Sequence, residues 1–268
     1  MNPRDYIAVR RSLVMDGAQR RMVPTSSVFR LLPTEPVEEL VQELNQPGRL
    51  PTGLKATVEH IVIVAAASAL KRHSHFTCLL LPGGSIYEPT RAVIATALDG
   101  PGSGAIGLVA TPDEKPLDEA VAELDASEAD GYPRFEGEAR KAVLQRRTRP
   151  LKYRLLVDVF TEGLFFIRDK VKIPERWIRI AVEQTGNFVV HPLMRLGIDS
   201  ATVSLTGPRS AHLLVGSIHP ELSGHQGTSH NVLKLGLAFD ARIFEPFEAA
   251  LFLADISDLL SDPKVSLA

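Results

Sequence analysis

A mixed α/β fold is predicted by three observations. Helical and strand-like segments alternate along the chain. The longest apolar stretch has helical character and is closed by basic residues. The last quarter reads as strands followed by one helix. At 268 residues, with 44% hydrophobic and 23% charged, the chain can bury a sizeable core, and its composition excludes wholesale disorder.

Taken in order, Pro36 to Asn45 has Pro at a helix start, acids in the first turn, and Val37, Leu40, Val41 and Leu44 on one face. Lys55 to His73 predicts a long, mostly buried helix ending in Lys71-Arg72-His73. Thr77 to Leu81, Arg91 to Leu98 and Ala105 to Thr111 predict strands, and Pro116 to Ala129 predicts an acidic amphipathic helix. The loop from Gly100 to Gly104 is rich in glycine but lacks both the P-loop Lys-Ser/Thr and the GxGxxG spacing, so it reads as a hairpin turn.

Glu138 to Arg154 carries Arg140, Lys141, Arg146, Arg147, Arg149, Lys152 and Arg154 with one acid. It reads as a solvated face or, more sharply, as a docking patch for an anion, with Arg146, Arg147 and Arg149 at its centre. Leu151 to Val171 and Pro174 to Gln184 predict further helices. Ala201 to Leu205, His212 to Ile218 and Val232 to Phe239 predict strands, with Gly216 marking a bulge or a close backbone approach. Pro246 to Leu260 predicts the final helix, stopped by Asp262-Pro263.

Charge and cysteine content narrow the function classes. Thirty basic and 32 acidic residues leave a net charge of −2, which argues against nucleic-acid binding by bulk charge. Cys78 is the single cysteine, so an intrachain disulfide is excluded, and the expectation is a buried, inert thiol. The pair His73-x-His75 has no third ligand at a telling spacing, and no metal is expected. No run reaches the roughly 18 to 20 apolar residues of a membrane span. The N-terminus lacks the apolar core of a signal peptide, so a cytoplasmic location is expected.

The segment from Leu235 to Phe252-Leu253, read LGLAFDARIFEPFEAA at its start, resembles the end of the catalytic domain in the 2-oxoacid dehydrogenase acyltransferase (E2) family, related to chloramphenicol acetyltransferase. Other pieces follow in the family's order. They are the alanine-rich helix IVIVAAASALKRH, the hairpin ending Gly107-Leu108-Val109, Thr202-Val203-Ser204-Leu205-Thr206-Gly207, and Leu214-Val215-Gly216-Ser217-Ile218. The resemblance implies a two-layer chloramphenicol acetyltransferase-like α/β fold, a mixed sheet covered by helices. The whole chain, 1–268, would form one domain, with 136–197 as an atypical helical insertion. It further implies a homotrimer with its channel at the subunit interface.

The family's Asp-His-Arg-x-x-Asp-Gly motif reads here Asp240-Ala241-Arg242-Ile243-Phe244-Glu245-Pro246. The family's His takes the proton from the attacking thiol, and a methyl group at Ala241 cannot. By the same resemblance Asp240 and Arg242 match a structural pair at the strand end, and Ser204 matches the hydroxyl that donates to the tetrahedral oxyanion. Coenzyme A or an acyl carrier would be substrate, with no covalently bound cofactor. A replacement base would come from His212, His219, His230 or Glu245, each of which also reads as structural. The alternative function is a non-catalytic relative serving as a structural or docking subunit, with a carrier protein or complex partner, and with neither nucleic acid nor membrane.

Overall fold

The computed structural model describes residues 23–51, 53–81, 86–97, 106–110, 112–129, 174–205, 208–223 and 228–267. The Arg146, Arg147 and Arg149 patch, the expected helix from Leu151 to Val171 and the loop from Gly100 to Gly104 lie outside them.

Among the described residues of the chain the first element is β1 (Thr25–Pro33), followed by α1 (Glu35–Leu44) and α2 (Val58–Arg72). A 3-10 turn (Ser74–Thr77) leads to the short ribbon β2 (Leu79–Leu80) and β3 (Ile86–Tyr87), then β4 (Val93–Ala97) and β5 (Ile106–Ala110). Helices α3 (Leu117–Ala129) and α4 (Glu175–Thr185) precede β6 (Phe188–Pro192) and a second 3-10 turn (Leu193–Leu196). The long hairpin β7 (Ala211–Ser223) and β8 (Thr228–Asp240), then α5 (Pro246–Ser261) and α6 (Pro263–Ser266), complete it.

The main sheet has six strands in the order β1-β8-β7-β6-β4-β5. It is mixed: β6 runs parallel to β4 and β7, and the remaining pairs are antiparallel. One face packs on α2 and α5. Phe188, Val190, Leu213, Val215, Leu235, Leu237 and Phe239 from the strands meet Ile61, Ile63, Phe252 and Ile256 from the helices in one cluster. The predicted long helix is buried almost along its whole length, from Val58 to Leu70. Its start is capped by Thr57, whose hydroxyl accepts the His60 N–H at 3.3 Å. Helix α4 lies on the other face at the β4–β5 end, where Ile178 and Val182 meet Leu79 and Val93. Its last residue is followed by Gly186 at φ 72°, and a Cβ there would stand 2.8 Å from that of Ala95. Only glycine admits so close an approach with that backbone conformation.

Several expectations change. Ala201 to Leu205 is not a strand, because no described strand pairs with it. Of Thr77 to Leu81, only Leu79–Leu80 forms a strand. The 136–197 stretch is not wholly an insertion, since Phe188–Pro192 is an inner strand of the sheet. Asp262-Pro263 does end α5, but one further helical turn follows.

Candidate functional site

The site is built where β8 ends. Asp240 is 2% exposed. Arg242 turns back on it: Nε donates to Oδ1 at 2.9 Å, Nη2 to Oδ2 at 2.6 Å, and the Arg242 N–H to Oδ1 at 3.0 Å. The Asp240 carbonyl accepts the N–H groups of Ile243 and Phe244 at 3.0 and 3.1 Å, which closes the turn. This fork-to-fork pair raises the Arg242 pKa, chiefly through the hydrogen bond to Asp240. Ala241 sits exposed between the two partners, its N–H donating to the Pro24 carbonyl at 2.8 Å.

Glu245 is the N-cap of α5 in a capping box, and its N–H donates to the Glu248 carboxylate at 3.0 Å. Pro246 begins the helix, where a missing N–H is tolerated. Glu245 therefore has a structural task at the helix start.

Ser204 is exposed. Its neighbour Leu205 approaches Thr25 Oγ1 through its N–H at 3.5 Å, and Thr25 is the register partner of Asp240. The Ser204 segment and the Asp240–Arg242 turn thus flank the same start of β1. Thr25 could not have been singled out from the sequence, because the strand that holds it gives no alternating signal.

Among the histidines, His219 and His230 lie far along the hairpin. His219 pairs in register with Val232, about 27 Å from Asp240 at strand spacing. His219 stands 3.8 Å from the Asp199 carboxylate, and His230 stands 4.0 Å from that of Glu221. Neither reaches Ala241 within one chain. His73 Nε2 pairs with Asp255 at 2.8 Å. Burial lowers the His75 pKa, and that ring stacks in the aromatic cluster of Phe76 and Phe244. His225 lies outside the described residues. Cys78 is buried and its thiol is pushed up by burial and by Glu88. No group of three metal-ligating side chains occurs among the described residues.

His212 is nearer, in register with Ala238, and is 5% exposed. Its Nδ1 meets His191 Nε2 at 3.0 Å, and its Nε2 is buried with no partner among the described residues. Burial pulls His212 down to about 3 and His191 to about 4, helped by Arg209, which is itself held by the Thr185 and Gly186 carbonyls at the end of α4. So weak a base is poorly matched to a thiol near neutral pH. This contact was not legible in the sequence, since His191 and His212 lie in separate apolar runs.

The pair carries a pH prediction. Both folded-state values lie below the ordinary histidine value of about 6.5, so the unfolded chain binds more protons between about pH 6.5 and 4. Stability is unaffected above that window and is lost as the pH falls through it. By pH 4 the loss is on the order of 3 kcal/mol per histidine. Thermal denaturation from pH 7 to 4 is expected to show a falling midpoint, and His212→Gln to flatten the fall. A profile identical in wild type and variant refutes this assignment.

Residues 177–268 match the family model for the catalytic domain of the 2-oxoacid dehydrogenases acyltransferase. The structure is similar to the dihydrolipoamide acetyltransferase (E2p) of Azotobacter vinelandii, at a TM-score of 0.68 and 20% identity, covering 98% of this chain and 91% of that one. The fold is that of the 2-oxoacid dehydrogenase acyltransferases. A probable dihydrolipoamide acetyltransferase from Listeria monocytogenes aligns at a TM-score of 0.67 and 17% identity, covering 97% of this chain and 92% of that chain. Chloramphenicol acetyltransferase aligns at 0.51 and 12%, covering 96% and 94%. Among curated proteins, none matches the sequence. The Azotobacter structure comes from an investigation of a serine, a histidine and an asparagine in that enzyme's catalytic mechanism. The acyltransferase-type match begins at 177, inside the stretch expected as an insertion, in agreement with β6 belonging to the sheet. No helix among the described residues is long and apolar enough to cross a membrane.

Proposed function

We propose that this acyltransferase-fold chain binds an acyl thioester, carried on coenzyme A or on a carrier protein, as a homotrimer. The observation that supports it most is the intact Asp240–Arg242 turn holding position 241 open beside the Ser204 segment. In the reaction the acceptor sulfur attacks the thioester carbonyl carbon. The C=O π electrons move to oxygen, Ser204 Oγ–H donates to that oxyanion, and collapse expels coenzyme A as thiolate. The acceptor's proton goes to solvent, because Ala241 offers no base. Attack therefore depends on the thiolate fraction of the acceptor, and the rate rises with pH toward the acceptor thiol's own pKa.

Calorimetric titration with coenzyme A and acetyl-coenzyme A tests binding. Chromatography of coenzyme A released to a dithiol acceptor tests turnover. Ser204→Ala is expected to slow release about 10²-fold while leaving binding unchanged. Release that is unaffected by Ser204→Ala overturns the reading, and an absence of binding by either ligand overturns its coenzyme A form.

A further inference from the structure

Ser204 lies on a segment that makes no strand ladder, yet its path is fixed at both ends. At its root Arg195 Nε donates to the buried Glu59 carboxylate at 2.7 Å, and Gly197 turns the chain at φ 65°. The segment then meets the one break in the β7–β8 register, between Val215 and Ile218. There the Ser217 N–H donates to the Ile198 carbonyl at 2.9 Å, and the Ser217 hydroxyl donates to the Asp199 carboxylate. A Cβ at Gly216 would overlap the Asp199 carbonyl oxygen and stand 2.9 Å from the Lys234 carbonyl oxygen. The missing side chain is what lets Asp199 lie on the sheet. At the far end the Leu205 N–H meets Thr25 Oγ1 at 3.5 Å, opposite Asp240.

The segment has little slack. From Lys234 to Asp240 along β8 is about 20 Å. The chain from Asp199 to Leu205 can extend to about 20–22 Å. A nearly taut strap transmits a shift of its seat to the residues it carries.

We propose that Gly216 and Ser217 are positioning residues for Ser204: the bulge in β7 is the seat that sets where the oxyanion donor stands. This rests on the acyl-transfer reading for its consequence, though the geometry does not. A methyl group at Gly216 must displace Asp199, and loss of the Ser217 hydroxyl loosens it. Because an oxyanion donor acts on the transition state, displacement lowers kcat and leaves KM alone.

The experiment is hydrogen exchange by mass spectrometry on the full chain, with coenzyme A release measured on the same samples. Exchange in 198–205 is expected to quicken about tenfold in Gly216→Ala and about threefold in Ser217→Ala, against unchanged protection in β8. Ser217→Thr, which keeps the hydroxyl, is expected to restore the wild-type rate. The kcat should fall in the same order, with KM constant within about twofold. Unchanged exchange at 198–205 in both Gly216→Ala and Ser217→Ala overturns the proposal, as does quickened exchange with unchanged kcat. A wild type that binds no acyl thioester and releases no coenzyme A refutes the acyl-transfer reading instead, and the exchange data alone then decide whether the bulge seats the segment.

Discussion

Ala241→His is expected to raise coenzyme A release about 10²-fold over wild type, the lower end of what a placed general base supplies. The backbone at this position is already held, with the 241 N–H on Pro24 and the flanking residues locked by the carboxylate–guanidinium fork. The new imidazole leaves from an exposed Cβ and displaces no buried group. Its effect should show as a pH profile with a new inflection near the histidine range. Glu245 and Pro246 fix the chain just beyond this position, so Ala241→His is also made together with Glu245→Asp and Pro246→Gly. If both variants fold, bind acetyl-coenzyme A and show no gain, the slot is not the reaction's base position in this chain.

Arg242→Ala is expected to cost about 2–3 kcal/mol of stability, a fall of roughly 5–10 °C in the denaturation midpoint. Asp240 is buried at the end of an inner strand, and without the fork its carboxylate loses its principal charged partner. The guanidinium is itself well exposed, which holds the effect below that of a fully buried pair. The double variant Asp240→Asn with Arg242→Ala removes the orphaned charge and should recover part of the loss. A single variant as stable as wild type would show that the turn is held by its backbone hydrogen bonds alone.

The parts of the fold legible in the sequence were those with a strong local signal. The buried helix from Val58 to Arg72 carries its alanine-rich run and a basic last turn, and α5 carries its proline start. Gly216 was legible as a bulge or a close approach and is both. The strands β1 and β6 gave no such signal. In β1 the side chains of Phe29, Arg30 and Leu31 are successively exposed at a sheet edge, so alternation is absent. In β6 five residues sit in the sheet interior between parallel neighbours, and a short apolar run of that kind has no period to read. Ala201 to Leu205 failed the other way: its composition suits a strand, but pairing is a tertiary property that composition does not supply. At the site, the motif positions from Asp240 to Pro246 were readable in order, whereas the approach of Leu205 to Thr25 joins residues far apart in the chain.

The pairing of β1 with β8 has a consequence for biosynthesis. Thr25 finds its register partner at Asp240, so β1 leaves the ribosome well before its partner strand and cannot zip until β8 has been made. Until then its apolar side chains stand open to chaperones or to a wrong edge. For the same reason the family-like part from 177 onward is not a detachable module. It takes its edge strand from Thr25–Pro33 and its central helix from Val58–Arg72, so a fragment beginning at 177 would lack both.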